Sequence, residues 1–344
     1  MTEKRQLAIN IIANAIYMVI NYLITFLLTS FIVAKIGSEA QGFIGLCNNI
    51  VNYSTVITIA LNSVSGRFIA IESHRGNEKK ANEYFSSTFI ADVFICIALS
   101  LIFIPIAINI DRLFKIPENI VTDVRILFLL VFVNLAVSVV SNVLSVATFI
   151  KNKLYLSSIA NVSASIMRGV TLLLLFNILP PSIIIVGISS ILGSLLVLVL
   201  NVKYTHALCP GLKIRKCYYS FSRVKELISS GIWNSISKVA QIFSDGLDLI
   251  ISNIWIGAYE MGQLSIAYTI PTAVAGFLSM IISVFNPKLT EYYAKNKKEK
   301  IVYELKTNMK MTALFGNIIF FVIFTLGKDF FELWVPTADI DMLY

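Results

Sequence analysis

The stretch IGSEAQG (Ile36–Gly42) returns 220 residues later as IGAYEMG (Ile256–Gly262). Each copy falls between two long apolar runs, where a glycine-bracketed turn can join one helix to the next. Laid over each other without a gap, residues 7–50 and 227–270 share ten identities. Asn14 pairs with Asn234, Val19 with Val239 and Leu27 with Leu247, while Asn21 faces Gln241, an amide for an amide. A convergent tight turn after any helix hairpin would reproduce the glycines alone. The wider match predicts a duplicated unit. Its copies begin six apolar runs apart, so both enter a membrane in the same direction, as a parallel repeat about an axis along the membrane normal.

Composition fixes the solvent. Hydrophobic residues make up 57% of the 344 and charged residues 14%, and the mean hydropathy is +0.79. Soluble domains carry about 25% charge, so this chain is built for lipid. Nine apolar runs, at 9–34, 43–69, 86–108, 124–148, 156–179, 182–202, 231–255, 262–286 and 311–334, reach the roughly 20 residues that a crossing requires. Backbone groups in lipid must pair internally, which makes each run a helix, and the alternation of barrel strands is missing. The opening MTEKRQ leads straight into the first run without a small-residue cleavage site, so that run is read as a retained helix.

Of the 28 lysines and arginines, 21 fall at the N-terminus or in even-numbered connections and 5 in odd-numbered ones. That asymmetry predicts a multi-pass membrane protein with its N-terminus and even connections in the cytoplasm. The net charge of +8 therefore reads as topology and gives no reason to expect nucleic acid. The expected fold is an all-α membrane protein, a polytopic helical bundle with two parallel-repeat lobes. Residues 1–204 form a first lobe complete with six helices, 205–230 a cytoplasmic interfacial linker, and 231–344 a second lobe that stops after three helices. The linker, HALCPGLKIRKCYYSFSRVKELISSG over 206–231, alternates apolar and basic residues, which suits the membrane surface and its anionic lipids.

Enzymatic chemistry finds little footing. The two histidines, His74 and His206, stand in basic connections, and no G-x-S-x-G, Walker, H-E-x-x-H or D-x-D pattern occurs. Cys47, Cys96, Cys209 and Cys217 are scattered without zinc-ligand spacing and read as free thiols, so no metal or cofactor is expected. A membrane-embedded polymerase or glycosyltransferase would carry a long odd-numbered connection, and none is present.

Charges inside apolar runs are the remaining signal. A central charge is disfavoured by about 2.5–3.5 kcal/mol on insertion scales, so each needs a partner or a task. Arg168 lies in the fifth run, and Lys238, Asp245 and Asp248 lie in the seventh. On one continuous helix Lys238 and Asp245 share a face, with Asp248 close by. The first helix of each expected lobe carries a polar line: Asn14, Asn21 and Thr25 in one, Asn234, Gln241 and Asp245 in the other. Two readings fit. These groups neutralise and glue helices together, or they line a transport path. Asp92, nearer the end of its run, is read as a structural pair.

Three pieces of sequence carry a resemblance. They are the I-G-x-x-x-x-G turn, Gly66-Arg67-Phe68 closing the second run with the following E-x-x-R-G-N-x-x-K-A-N segment, and FELWVP at 331–336. Together they resemble bacterial O-antigen and capsule flippases, the polysaccharide-transport branch of the multidrug/oligosaccharidyl-lipid/polysaccharide exporter superfamily. Members have two six-helix lobes, so the resemblance implies that TADIDMLY stops where a tenth helix would begin. It also implies a place in the inner (plasma) membrane and a cargo, a polyprenyl-pyrophosphate-linked oligosaccharide of lipopolysaccharide or capsule synthesis, with membrane lipids and other polysaccharide-assembly proteins as partners. Arg168 and Lys238 would then hold the pyrophosphate, and Asn14, Asn21, Asn234 and Gln241 the sugar. Asp245 and Asp248 would bind a coupling H+ or Na+. The alternative within the superfamily is a cation-coupled multidrug exporter, which would favour an anionic pocket.

Overall fold

The computed structural model describes residues 3–245, 247–294 and 297–343, and these are helical almost throughout. In chain order the α-helices are α1 (Glu3–Ile36), α2 (Ser38–Tyr53), α3 (Thr55–His74), α4 (Glu78–Ile108), α5 (Ile110–Leu113), α6 (Val121–Leu144) and α7 (Val146–Ile150). They continue as α8 (Leu154–Ile178), α9 (Ile183–Leu208), α10 (Phe221–Asp245), α11 (Asp248–Ile251), α12 (Ala258–Ala267), α13 (Thr269–Ala294), α14 (Lys298–Trp334) and α15 (Ile340–Leu343). Seven stretches among the described residues are long and apolar enough to cross a membrane: 8–36, 55–74, 78–108, 118–150, 154–178, 183–208 and 298–334. They coincide with the first, third to sixth and ninth expected crossings. The second, expected over 43–69, is divided at Ser54 between α2 and α3, and its long apolar helix is 55–74. Their outward faces are apolar, with Phe94, Leu101 and Ile108 of α4 exposed as lipid-facing side chains are.

Local chemistry sets the ends. Asn77 caps α4 by accepting from the Lys80 amide, and Ser182 caps α9 by accepting from that of Ile184. Gly76 turns the chain at φ +73° between α3 and α4, where a side chain would be strained. Several helices outrun their apolar stretches. Of the basic segment 287–300, expected as a loop, 287–294 belong to α13 and 298–300 to α14, because lysine and glutamate are good helix formers outside lipid.

The seventh and eighth expected crossings are corrected. Instead of one helix over 231–255, α10 ends at Asp245, α11 begins at Asp248, and a π-helical turn covers Ser252–Ile256. Asp245-Gly-Leu-Asp248 supplies poor helix formers there, so the face expected to join Lys238 to Asp248 is not continuous. The run 262–286 is divided between α12 and α13 at Tyr268, just before Pro271, which has no amide to give the first turn of α13.

The repeated turns govern how the parts meet. Gly37 opens α2 at φ +107°, and Gly257 opens α12 in an extended conformation that any residue could adopt. The two short helices pack on each other through equivalent positions. A Cβ at Gly42 would lie 2.8 Å from the Gly262 Cα, and one at Gly45 would lie 2.5 Å from the Ser265 Oγ. Ser265 Oγ also donates to the Gln41 carbonyl at 3.2 Å. Around this contact the packing is reciprocal: α10 lies on α3 and α1 lies on α13. Gly231 of α10 stands against the backbone carbonyl of Ala60, where only glycine allows the approach, and Gly276 of α13 lies against the Tyr22 hydroxyl of α1. We call the end holding Gly37 and Gly257 the turn end, and the opposite one, holding residues 151–153 and 209–220, the base.

At the base the segment 209–220 is bound along α4. Asn82 donates to the Gly211 carbonyl at 3.0 Å and accepts from the Lys213 amide at 2.7 Å. Ser86 and Ser87 hold Lys213, Arg215 and Ser220 in the same way. Partial burial opposes the charge on Arg223, but hydrogen bonds to Glu83 and Glu226 outweigh it and hold the guanidinium protonated above its ordinary range.

Candidate functional site

A cavity of about 1160 Å³ opens among α1, α2, α3, α6, α7, α8, α9 and α10. Its wall runs from Ile44 in α2 to Thr148, Phe149 and Leu154 beside the turn at 151–153, so it extends to the base while packed glycines close the turn end. Pockets for drug-sized ligands span roughly 300–1,000 Å³, and this space lies just above that range.

The wall is built from polar stripes on apolar helices. Along α2 and α3, Asn48, Asn52, Thr55, Ile59, Asn62 and Gly66 recur every three or four residues, which keeps them on one face. Ser157, Asn161, Ser165 and Arg168 form the stripe of α8, and Ser190, Ser194 and Asn201 that of α9. Asn134, Ser138 and Ser141 of α6 face α9. There Ser194 donates to Asn134 Oδ1 at 2.6 Å, and Asn201 donates to Ser141 Oγ at 3.0 Å. Some of these amides therefore hold helices together, and the rest present donors and acceptors to the cavity. Reading charges and the repeat alone missed them; the signal was the helical spacing of asparagine and serine inside apolar runs.

The expected site residues separate into groups. Arg168, Lys238 and Gln241 all line the cavity. Arg168 is half-buried beside Tyr17, and its Nε has no acceptor. Lys238 donates to Gln241 Oε1 at 3.1 Å. Among the described residues neither cation has an ion-pair partner, and no carboxylate lines the cavity. Asn21 stands just behind the wall, accepting from Ser165 Oγ at 3.1 Å.

Asn14 and Asn234 lie elsewhere. Asn14 is exposed on α1, and Asn234 is exposed on α10, donating to Ser63 Oγ at 2.9 Å. Asp248 is exposed at a smaller hollow of about 330 Å³ toward the turn end, where it accepts from the Tyr268 hydroxyl near Glu260 and Gln263. The side chain of Asp245 lies outside the described residues. Among the described residues no group of three His, Cys, Asp or Glu could hold a metal ion. Asp92 is fully buried: its Oδ1 accepts from Asn62 Nδ2 at 2.9 Å and its Oδ2 has no partner.

The arrangement shares its fold with solved membrane transporters. An inward-facing structure of a multidrug resistance MATE family transporter of the MOP superfamily matches with a TM-score of 0.77 at 13% identity, over 97% of this chain and 78% of that one. A MOP superfamily transporter from Pyrococcus furiosus Vc1 (DSM3638), described with a binding pocket of reversed polarity, matches at 0.69 and 13% identity, over 97% and 75% of the two chains. The chain belongs to the polysaccharide biosynthesis protein family, whose model matches residues 7–293. It is similar to the uncharacterized membrane protein EpsK of Bacillus subtilis (strain 168), 29% identical over 327 residues and 95% of this chain. The chain spans 65% of that relative's length.

Proposed function

We propose that the protein moves a polyprenyl-pyrophosphate-linked oligosaccharide across the inner membrane for surface polysaccharide assembly. One observation carries the reading: the cavity holds two cations without carboxylate partners among the described residues, inside a wall of amides and hydroxyls. Such a wall complements an anion joined to uncharged sugar. The Arg168 guanidinium can fork phosphate oxygens, Lys238 adds point charge, and the asparagines and Gln241 meet sugar hydroxyls. A pocket for cationic drugs would need the opposite charge. The lysine and arginine asymmetry supports a base on the cytoplasmic side, whose leaflet is the one from which such a cargo would enter. Transport of this kind makes and breaks no bond in the cargo.

Binding to the purified full chain separates the readings. Polyprenyl pyrophosphate in detergent should bind, as read by titration calorimetry, and lose affinity in R168A. A cationic dye should not compete. Dye binding without pyrophosphate-lipid binding would replace this reading with the multidrug one.

A further inference from the structure

We infer that Asp92 is a proton-binding site behind the cavity wall, connected to the cavity through Asn62. The sequence alone placed this residue as one half of a structural pair. The structure gives it no cationic partner among the described residues. Asp92 is 0% exposed, held between α4 and α3 by a single amide, with its second oxygen buried and unpartnered. Asn62, the group that holds it, is itself part of the cavity wall. A buried carboxylate with one donor and no counter-charge is unfavourable, whereas a neutral carboxyl needs far less.

The surroundings keep other charges away. On α4 the titratable neighbour is Cys96, one turn further on. From α3 come Asn62 and Ser65, whose hydroxyl donates to the Asn62 carbonyl, while Arg67 lies over Phe68 and Glu72 pairs with Arg75 nearer the base. The ionisable residues of α6 are Asp123 and Arg125, in its first turns at the turn end, where α5 places Asp111 and Arg112. Among the described side chains of α10 the charges are Arg223, Lys225 and Glu226 at the base, with Arg223 and Glu226 gathered around Tyr84, and Lys238 in the cavity. The linker adds Lys216, Cys217 and Tyr218 beside the first turns of α4.

This geometry fits a proton and not a metal cation. Sodium or calcium would need several converging oxygens, and Asn62 presents its N–H. When the wall moves and Asn62 turns away, water reaches the carboxyl. Asp92 then gives up the proton it took from the other side, one per cycle, with no other bond changed. Coupling of that proton to cargo rests on the transporter reading above, but proton binding at Asp92 does not.

Infrared difference spectroscopy of the full chain in liposomes tests the site without any cargo. A protonated-carboxyl band should fade as the pH is raised and be missing in D92N. In N62L the band should persist to a pH at least one unit higher, a tenfold change in proton affinity, because the donor that favours the anion is gone. R168A, which tests the cargo reading, should leave the band unchanged. A band of equal size in D92N overturns the proposal. If D92N fails to insert, N62L decides, and an unchanged pH dependence there overturns it equally.

Discussion

Substituting Gly262 with alanine should force the turn end apart. The new Cβ would lie 2.5 Å from the Ser38 carbonyl oxygen, 2.6 Å from its carbon and 2.9 Å from the Glu39 nitrogen. All three are backbone atoms of α2, so no side chain can swing aside. Restoring an ordinary contact of 3.4 Å requires α2 and α12 to separate by about 0.9 Å, the difference between 3.4 and 2.5 Å. Overpacking of this kind costs about 1–3 kcal/mol, and each ~1.4 kcal/mol is a factor of ten in population. The packed turn end should therefore lose roughly fivefold to over a hundredfold in occupancy. The assay is a disulfide. A Cβ at Gly45 would lie 3.5 Å from that of Ser265, at the short edge of the range a cystine spans. With Cys47, Cys96, Cys209 and Cys217 replaced, G45C/S265C should cross-link quickly under mild oxidant, and adding G262A should slow it at least fivefold. Equal rates with and without the alanine would refute the steric argument. No cross-link in either background would refute the packing itself.

A cysteine replacing Lys297 should react only with reagent supplied from the cytoplasm, since the connection around it is the most basic in the chain; labelling from outside would invert the proposed orientation. Asn82→Ala should release the linker, because two hydrogen bonds to Gly211 and Lys213 disappear at once. At about 0.5–1.5 kcal/mol each, their loss should speed tryptic cleavage after Lys213, Arg215 or Lys216 several-fold, read on a gel under native conditions.

Much of this architecture was legible in the chain, and the reasons differ by element. The glycine turns announced themselves because close backbone approach admits few substitutes, and Gly42 and Gly262 do meet. Apolar length located most crossings because the bilayer imposes a minimum that soluble helices need not meet. It failed over 231–255, where hydropathy averaged across a break that the residues Asp245 to Asp248 introduce. Arg168 and Lys238 were visible as costly charges, and both line the cavity. The amide stripes on α3 and α8 were harder to see, because asparagine in an apolar helix serves packing and binding equally well. Only the fold decides which face turns inward. Asp92, read as half of a structural pair, is paired with an amide of α3, and spacing along one chain could not name that partner.

The central claim is that Arg168 holds an anionic cargo in the cavity. It is tested most directly by glycan export from cells carrying Arg168→Ala in the full-length protein, with membrane abundance measured alongside. Losing hydrogen bonds to a charged group costs roughly 1.5–3 kcal/mol, so export should fall at least tenfold at normal abundance, and Arg168→Lys should restore only part of it because the planar fork is gone. Normal export by an Arg168→Ala protein at normal abundance would contradict the account.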